Sequence, residues 1–184
     1  EVARPLLDQL FQTVAATGCA VMLSDNDGVI LEARSRDGDR DMFDQVGLTP
    51  GGIWSESREG TNGIGTCLVE GRPVTIHRDQ HFACRNIGIS CMDAPVRDAG
   101  GRLVGALDIS SCRDDHSLAT AALVQKIVQD AARRIVAERI YAQSVGRHAA
   151  QDAHIFAADN LLWRKDVLLI MRVSGLVDQH LRAG

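Results

Sequence analysis

The side chains with most chemistry to offer are five cysteines, at positions 19, 67, 84, 91 and 112, and six histidines, in a chain of 184 residues. An odd number of widely spaced cysteines, several inside apolar runs, argues against a disulfide framework and for a reducing cytoplasm. Cys67, Cys84, Cys91 and Cys112, with His77 and His81, raise the question of a metal. Yet there is no Cys-x-x-Cys, and His77 and His81 straddle a strand end and a loop rather than one helix face. If a metal were held, Cys84, Cys91 and His81 would be the trio to hold it. Small buried thiols in a reduced core are the plainer reading, and no metal or cofactor is expected.

Two carboxylates come next. Asp93 in "CMDAP" and Asp108 in "ALDIS" each interrupt an apolar strand pattern, where an unpaired carboxylate is costly to bury. Asp93 either faces a ligand pocket or serves the fold. Asp108 either does the same or caps the loop leading to the long helix. Ser-His-Asp catalysis has no support. There is no nucleophile-elbow sequence, and Asp115-His116 lies at a helix start.

The stretch "GGIWSESREGTNGIGTCLVEG" (51–71) looks like a phosphate cradle but lacks the Gly-Lys-Ser/Thr ending of a P-loop, and its glycines do not fit a dinucleotide fingerprint. Its structural reading is a short helix at about 62–69, capped by Thr61 or Asn62 and ended by Gly71, with glycines that let it pack closely on a sheet. Glu56 would accept hydrogen bonds from backbone N–H groups of this turn. Its functional reading puts Trp54 and Glu56 at the wall of a pocket. The two readings are compatible.

The elements that must position these residues follow from periodicity. Val2, Leu6, Leu7, Leu10, Phe11 and Val14 recur at helical spacing. "CAVMLSD" (19–25) and "VILEAR" (29–34) flank Asn26-Asp27-Gly28, a hairpin signature. Met42, Phe43 and Val46 share the face of a short helix within "SRDGDRDMFDQVG". "RPVTIH" (72–77) is a strand, and 89–98 with 101–111 form a second hairpin. Asp114, Asp115 and Ser117 offer caps for a helix predicted from Ser117 to Val145, about 43 Å at about 1.5 Å per residue. Separated antiparallel hairpins with flanking helices indicate an α+β domain. Residues 147–184 are apolar without one period and are read as a linker or the start of a following module. The opening "EVARPLLDQL" has no initiator Met and no signal-peptide pattern, so the chain reads as a fragment of something longer.

"WSESREGTNGIGT", "QHF" (80–82), "ISCMDAPVRDAGGRLVGALDIS" (89–110) and "MLSDNDGVIL" (22–31) together resemble the GAF domain at the N-terminus of acetoin- and glycerol-metabolism regulators. Those are sigma-54-dependent, Fis-type transcriptional activators. The resemblance runs over about residues 4–146. It implies a GAF fold: a central antiparallel sheet of five or six strands, a ligand pocket on one face and terminal helices on the other. It also implies a sensory role without catalysis. The chain shows no Walker A sequence and no helix-turn-helix, so DNA would be reached through a separate domain. One GAF enzyme class reduces free methionine sulfoxide with cysteines around the pocket. Its motifs are absent around Cys84 and Cys91. The regulators more often carry a small residue where Asp93 stands, a departure that would retune ligand choice.

Residues 1–146 are thus expected to form a sensory domain, with Trp54, Glu56, Phe82, Cys91, Asp93 and Asp108 as the ligand-binding set. The effector would be a small metabolite, by resemblance a short polar ketone, alcohol or related carbon source. The helix at 117–145 would form a homodimer seam. Alternatives are a protein-docking module with a vestigial pocket, or a cysteine-based redox or metal sensor. A net charge of −4 gives no support for a nucleic-acid surface. With no 18-residue apolar run, no membrane span is expected.

Overall fold

The computed structural model describes residues 4–98 and 100–135. The chain begins with helix α1 (Arg4–Val14), which buries Leu7, Leu10 and Val14 and turns its intervening polar residues outward. Strands β1 (Cys19–Asp25) and β2 (Ile30–Arg34) form the first hairpin. Its turn is held by Asp25, whose Oδ1 accepts from the N–H groups of Asp27 and Val29 at 2.9 Å each. Gly28 takes φ +79° there, and a Cβ on it would lie 2.7 Å from the Ser55 nitrogen. Glycine at 28 thus serves both the left-handed turn and the close approach of the 51–55 segment. That segment runs beside the hairpin through Gly51 N–H to Ile30 C=O and Trp54 N–H to Gly28 C=O, each 2.8 Å.

Helix α2 (Arg40–Val46), a single turn α3 (Glu56–Glu59) and α4 (Gly63–Glu70) follow, then strand β3 (Val74–His77). The second hairpin is β4 (Ser90–Arg97) and β5 (Leu103–Ser111), and α5 (Leu118–Arg134) closes the described chain. The five strands form one antiparallel sheet in the order β2-β1-β5-β4-β3. Among the described residues the expected range of five or six strands resolves to five, and the α+β architecture is as anticipated. Helix α5 starts at Ser117, whose hydroxyl accepts from the Thr120 N–H. Its last residue is Arg134, because Ile135 turns to an extended backbone. The rest of the helix predicted to Val145, the boundary at 146 and residues 147–184 lie outside the described residues.

Strand alternation divides the apolar residues into two cores. One face, with Val21, Leu23, Met92, Leu107 and Ile109, packs under α1 and α5 against Leu7, Leu10, Val124 and Val128. The opposite face, with Ala20, Met22, Cys91, Ala106 and Val74, is covered by Phe43, Leu48, Trp54, Ile64 and Cys67. The chemistry-bearing residues sit on this second face.

Candidate functional site

Strand register lines up two rows across the second face. One runs Ala33, Met22, Asp108, Asp93, Val74, and the other Ala20, Ser110, Cys91, Ile76. Asp93 and Asp108 are therefore directly opposed on neighbouring strands, and both are 0 % exposed. The Ser110 hydroxyl is 2.9 Å from Asp108 Oδ1 and 3.1 Å from Cys91 Sγ, and its single proton serves one of them at a time. Among the described residues, Asp108 Oδ2 and both oxygens of Asp93 have no hydrogen-bond partner. Burial pushes the Asp93 carboxyl well above the ordinary carboxylate range, and the charge of Asp108 raises it further. Burial also raises Asp108, against the opposing effect of the Ser110 hydroxyl that donates to it. Two buried carboxylates this close do not both ionise readily, so the pair retains a proton to higher pH than an exposed acid would. The reading of Asp108 as a cap for the loop before the long helix is replaced. It lies in mid-strand, and Ser117 supplies the cap.

Cys91 is tied to a histidine. His81 Nδ1 lies 2.9 Å from the Arg78 carbonyl, which can only accept, so Nδ1 carries a proton. In the neutral ring Nε2 is then the acceptor for the Cys91 thiol, 3.4 Å away. Burial favours that neutral ring and lowers the His81 pKa; the Arg78 carbonyl opposes the shift, and the charge of His77 adds to it. The turn that presents this carbonyl is strained. Arg78 has φ +50°, held by its own guanidinium donating to the carbonyls of Arg113 and Asp114. Burial raises the Cys91 thiol, with Asp108 and Asp93 adding to the shift. Cys67 is raised too, and Cys112 is pushed up to about 12, chiefly by burial in both cases. A protonated thiol is a poor nucleophile and a poor ligand. Cys84 is exposed whereas Cys91 is buried, and all five cysteines are free. Among the described residues no three His, Cys, Asp or Glu side chains are grouped to hold a metal.

The glycine-rich stretch is the clamp that seats α4 on the acid pair. Asn62 is the cap: its Oδ1 accepts from Gly65 N–H at 2.8 Å and its Nδ2 donates to the Gly60 carbonyl at 2.9 Å. Glu56 accepts from the Thr66 hydroxyl at 2.8 Å, rather than from the backbone N–H groups anticipated. A Cβ on Gly63 would lie 2.1 Å from Asp93 Oδ2 and 2.4 Å from Cys91 Cβ, so α4 rests on these two residues only because position 63 is glycine. Gly71, at φ +61°, ends the helix as expected.

The six sequence-designated residues therefore separate into three places. Cys91, Asp93 and Asp108 come together. Trp54 and Glu56 stand behind α4 as its frame, with Trp54 2 % exposed and its indole N–H donating to the Gly47 carbonyl at 2.9 Å. Phe82 is 77 % exposed, its ring against Gly60, beside the ion pair of Arg85 and Glu59 in a shallow outer depression.

Sequence reasoning missed a cavity of about 260 Å³ between the β1–β2 hairpin and α2. Its floor is apolar, made by Ala20, Met22, Ala33, Phe43 and Leu48, and its polar lining is Arg34, Ser35, Arg40, Asp44 and Thr49. Met22 is the row neighbour of Asp108, so the cavity adjoins the acid pair across one strand. Arg40, Phe43 and Asp44 share a helix face by their i, i+3, i+4 spacing. That was the one local signal available.

A family model described as GAF domain matches residues 1–135. The acetoin catabolism regulatory protein of Cupriavidus necator is 33% identical over 128 residues, covering 70% of this chain and 19% of that protein. The propane 2-monooxygenase operon activator MimR of Mycolicibacterium smegmatis is 32% identical over 113 residues, 60% of this chain and 19% of that protein. The acetoin dehydrogenase operon activator AcoR of Bacillus subtilis is 32% identical over 110 residues, 59% and 18% respectively. The chain thus spans about a fifth of the length of these relatives. In fold it is similar to the E. coli DhaR(N)–DhaL complex structure, with a TM-score of 0.62 at 19% identity over 85% of this chain and 55% of that one.

Proposed function

This chain belongs to the GAF domain family, and from that premise we propose that it is the metabolite-sensing module of a bacterial transcriptional activator. The observation that carries the reading is the acid pair. Three buried carboxyl oxygens lack partners on a sheet face that adjoins a cavity, beneath a helix seated by a capped glycine turn. A fold that keeps such a cost in place stores a preference for something that relieves it. A small metabolite bound on this face changes the surroundings of Met22, Asp108 and Asp93, and α4 above them is the element that responds. The ligand acts by favouring one arrangement of these elements over another. In this reading Asp93, Asp108 and Cys91 are the ligand-responsive residues, Trp54 and Glu56 frame them, and Phe82 belongs to the outer surface.

The relatives are named as regulators of acetoin and propane-oxidation operons, which supports a carbon-source effector and a role in regulation rather than catalysis. The finer assignment is a cytoplasmic sensory domain of about residues 1–146, with the next module beginning near 147. It works as a homodimer through the helix that begins after Ser117, ahead of a sigma-54-dependent effector and a separate DNA-binding domain. A second reading has its own observation: exposed Phe82 and Ile87 beside Arg85 and Glu59 offer a protein-docking surface. In that reading the partner binds the outer face and the acid pair is only structural.

The test is a thermal-shift screen of carbon-source metabolites against the wild-type chain and Asp93→Asn, with native mass spectrometry of the protein as purified. The sensor reading expects a saturable rise in Tm, or a co-purified small molecule, that Asp93→Asn alters. No shift with any metabolite and no bound mass, together with partner capture lost in Phe82→Ala, would replace it by the docking reading.

A further inference from the structure

We propose that Arg78 couples the buried acid pair to the start of α5, so that the state of Asp108 on one face of the sheet is felt by the helix on the other. The regulatory meaning of this coupling rests on the sensor reading, but the coupling itself needs no metabolite. Its starting point is a backbone outlier. Arg78, at φ +50°, is the single residue other than glycine with a positive φ among the described residues. A bulky residue keeps that conformation only where its surroundings hold it there. Its N–H donates to the Ile89 carbonyl at 2.8 Å. Its carbonyl accepts twice from His81, from the backbone N–H at 3.0 Å and from ring Nδ1 at 2.9 Å. Its guanidinium crosses to the segment before α5, where Nη2 donates to the carbonyls of Arg113 at 2.9 Å and Asp114 at 2.8 Å. Nη1 lies 3.6 Å from Asp114 Oδ1, but that carboxylate is fully exposed and adds little. Ser117, the cap of α5, follows closely in the chain, so these carbonyls set where the helix begins.

The inward path is a row of buried side chains. His81 Nε2 receives the Cys91 thiol at 3.4 Å, Cys91 Sγ lies 3.1 Å from the Ser110 hydroxyl, and that hydroxyl lies 2.9 Å from Asp108 Oδ1. Ser110 is the two-state element. While Asp108 is ionised, the hydroxyl donates to Oδ1. When Oδ1 carries a proton it donates to Ser110 Oγ, and the Ser110 proton turns to Cys91. Every bond then points from the acid towards Arg78, and a row so aligned strengthens its members. Loss of the Asp108 proton breaks the row at Ser110, slackens the hold of His81 on the Arg78 carbonyl and lets the strained turn move the start of α5. The titratable groups around the row come from several elements. They are Asp93 on β4, Cys67 on α4, Cys112 after β5, His77 on β3, and Arg113, Asp114, Asp115 and His116 before α5. Burial keeps Cys67 and Cys112 protonated and favours neutral His81 and His116, so above pH 6.5 the row changes chiefly through Asp108, raised to about 7.

The experiment measures hydrogen-exchange protection of the Thr120 and Ala121 amides in the 184-residue chain at pH 6.5 and 8.5, each rate divided by its intrinsic value. Both amides bond to Ser117 in the first turn of α5. The Leu107 amide, in the centre of the sheet, reads the global loss of stability over the same interval. Protection at Thr120 and Ala121 should fall at least about threefold from pH 6.5 to 8.5. The fall should vanish in Arg78→Gly, Ser110→Ala and Asp108→Asn, and persist in His77→Gln. Glycine takes φ +50° without strain, so Arg78→Gly removes the guanidinium and leaves the turn. If that variant does not unfold cooperatively, Arg78→Lys takes its place and should reduce the fall, because one ammonium cannot span both carbonyls as the guanidinium does. An Arg78 that is only structural would lower stability and leave the fall in place. That result, no fall in wild type beyond the change at Leu107, or loss of the fall in His77→Gln overturns the coupling. A metabolite shift in Tm without this coupling removes Arg78 from the mechanism and keeps the sensor reading. Coupling without any metabolite shift or bound mass upholds Arg78 and defeats the sensor reading.

Discussion

At the residue scale the protein buries two acids side by side. Asp93 and Asp108 face each other with three unpartnered oxygens between them, and both are raised, chiefly by burial. The sign of their effect on stability follows. An unfolded aspartate releases its proton near pH 4, whereas the native pair holds on to higher pH. In that window the native state binds more protons, so this contribution to stability falls as pH rises, by up to about 1.4 kcal/mol per pH unit for each proton held. His81 works the other way. Its lowered pKa makes stability fall as pH drops below about 6.5, where the unfolded imidazole takes up a proton. Asp93→Asn isolates the acid term. In urea unfolding at pH 4.5, 6 and 7.5, the variant's advantage over wild type should grow with pH, and a constant difference would refute the shared-proton description.

At the element scale α4 is the piece whose position matters most, and its seat is built from few contacts. Losing the Asn62 cap in Asn62→Ala should cost about 1 kcal/mol from the capping bond, more if the Gly60 carbonyl is left without a donor. Gly63→Ala is the sharper probe. Its methyl group collides with Asp93 Oδ2 and Cys91 Cβ and should lift the helix from the sheet at a cost of about 1–3 kcal/mol. If α4 transmits ligand occupancy, Gly63→Ala should also weaken metabolite binding in calorimetry, whereas Asn62→Ala should chiefly lower stability. Equal effects of both on binding would make α4 a passive cover.

At the scale of the whole molecule the sheet separates two tasks. One face is given to α1 and α5 and holds an apolar core; the other carries the acids, the thiol and the cavity. Leu118 and Leu123 stand 64% and 70% exposed on α5. The homodimer proposed above would cover Leu123, whereas Leu118, five residues earlier, lies on another face of the helix. Leu123→Glu should then convert a dimer to a monomer in light scattering with the unfolding midpoint of the monomer unchanged. A wild-type chain that is already monomeric at tens of micromolar would remove the seam from the mechanism. No helix among the described residues is long and apolar enough to cross a membrane.

What the sequence determined by itself was everything set by neighbours along the chain. The Asn26-Asp27-Gly28 hairpin, the capped turn at Asn62, the glycine stop at 71 and the period-2 strands were all legible, because backbone conformation and side-chain alternation are local properties. The ordered motifs also sufficed to name the family. Tertiary structure alone decided that Asp93 meets Asp108, since that depends on the register of β4 against β5. It decided likewise that Phe82 looks outward while Trp54, also aromatic and in the same motif, is sealed in the core. The cavity was invisible to pattern reading for the same reason. Its walls come from three segments between residues 20 and 50 whose spacing carries no motif, and only the packing of α2 over the hairpin brings Phe43 to the apolar floor of Ala20, Met22 and Ala33.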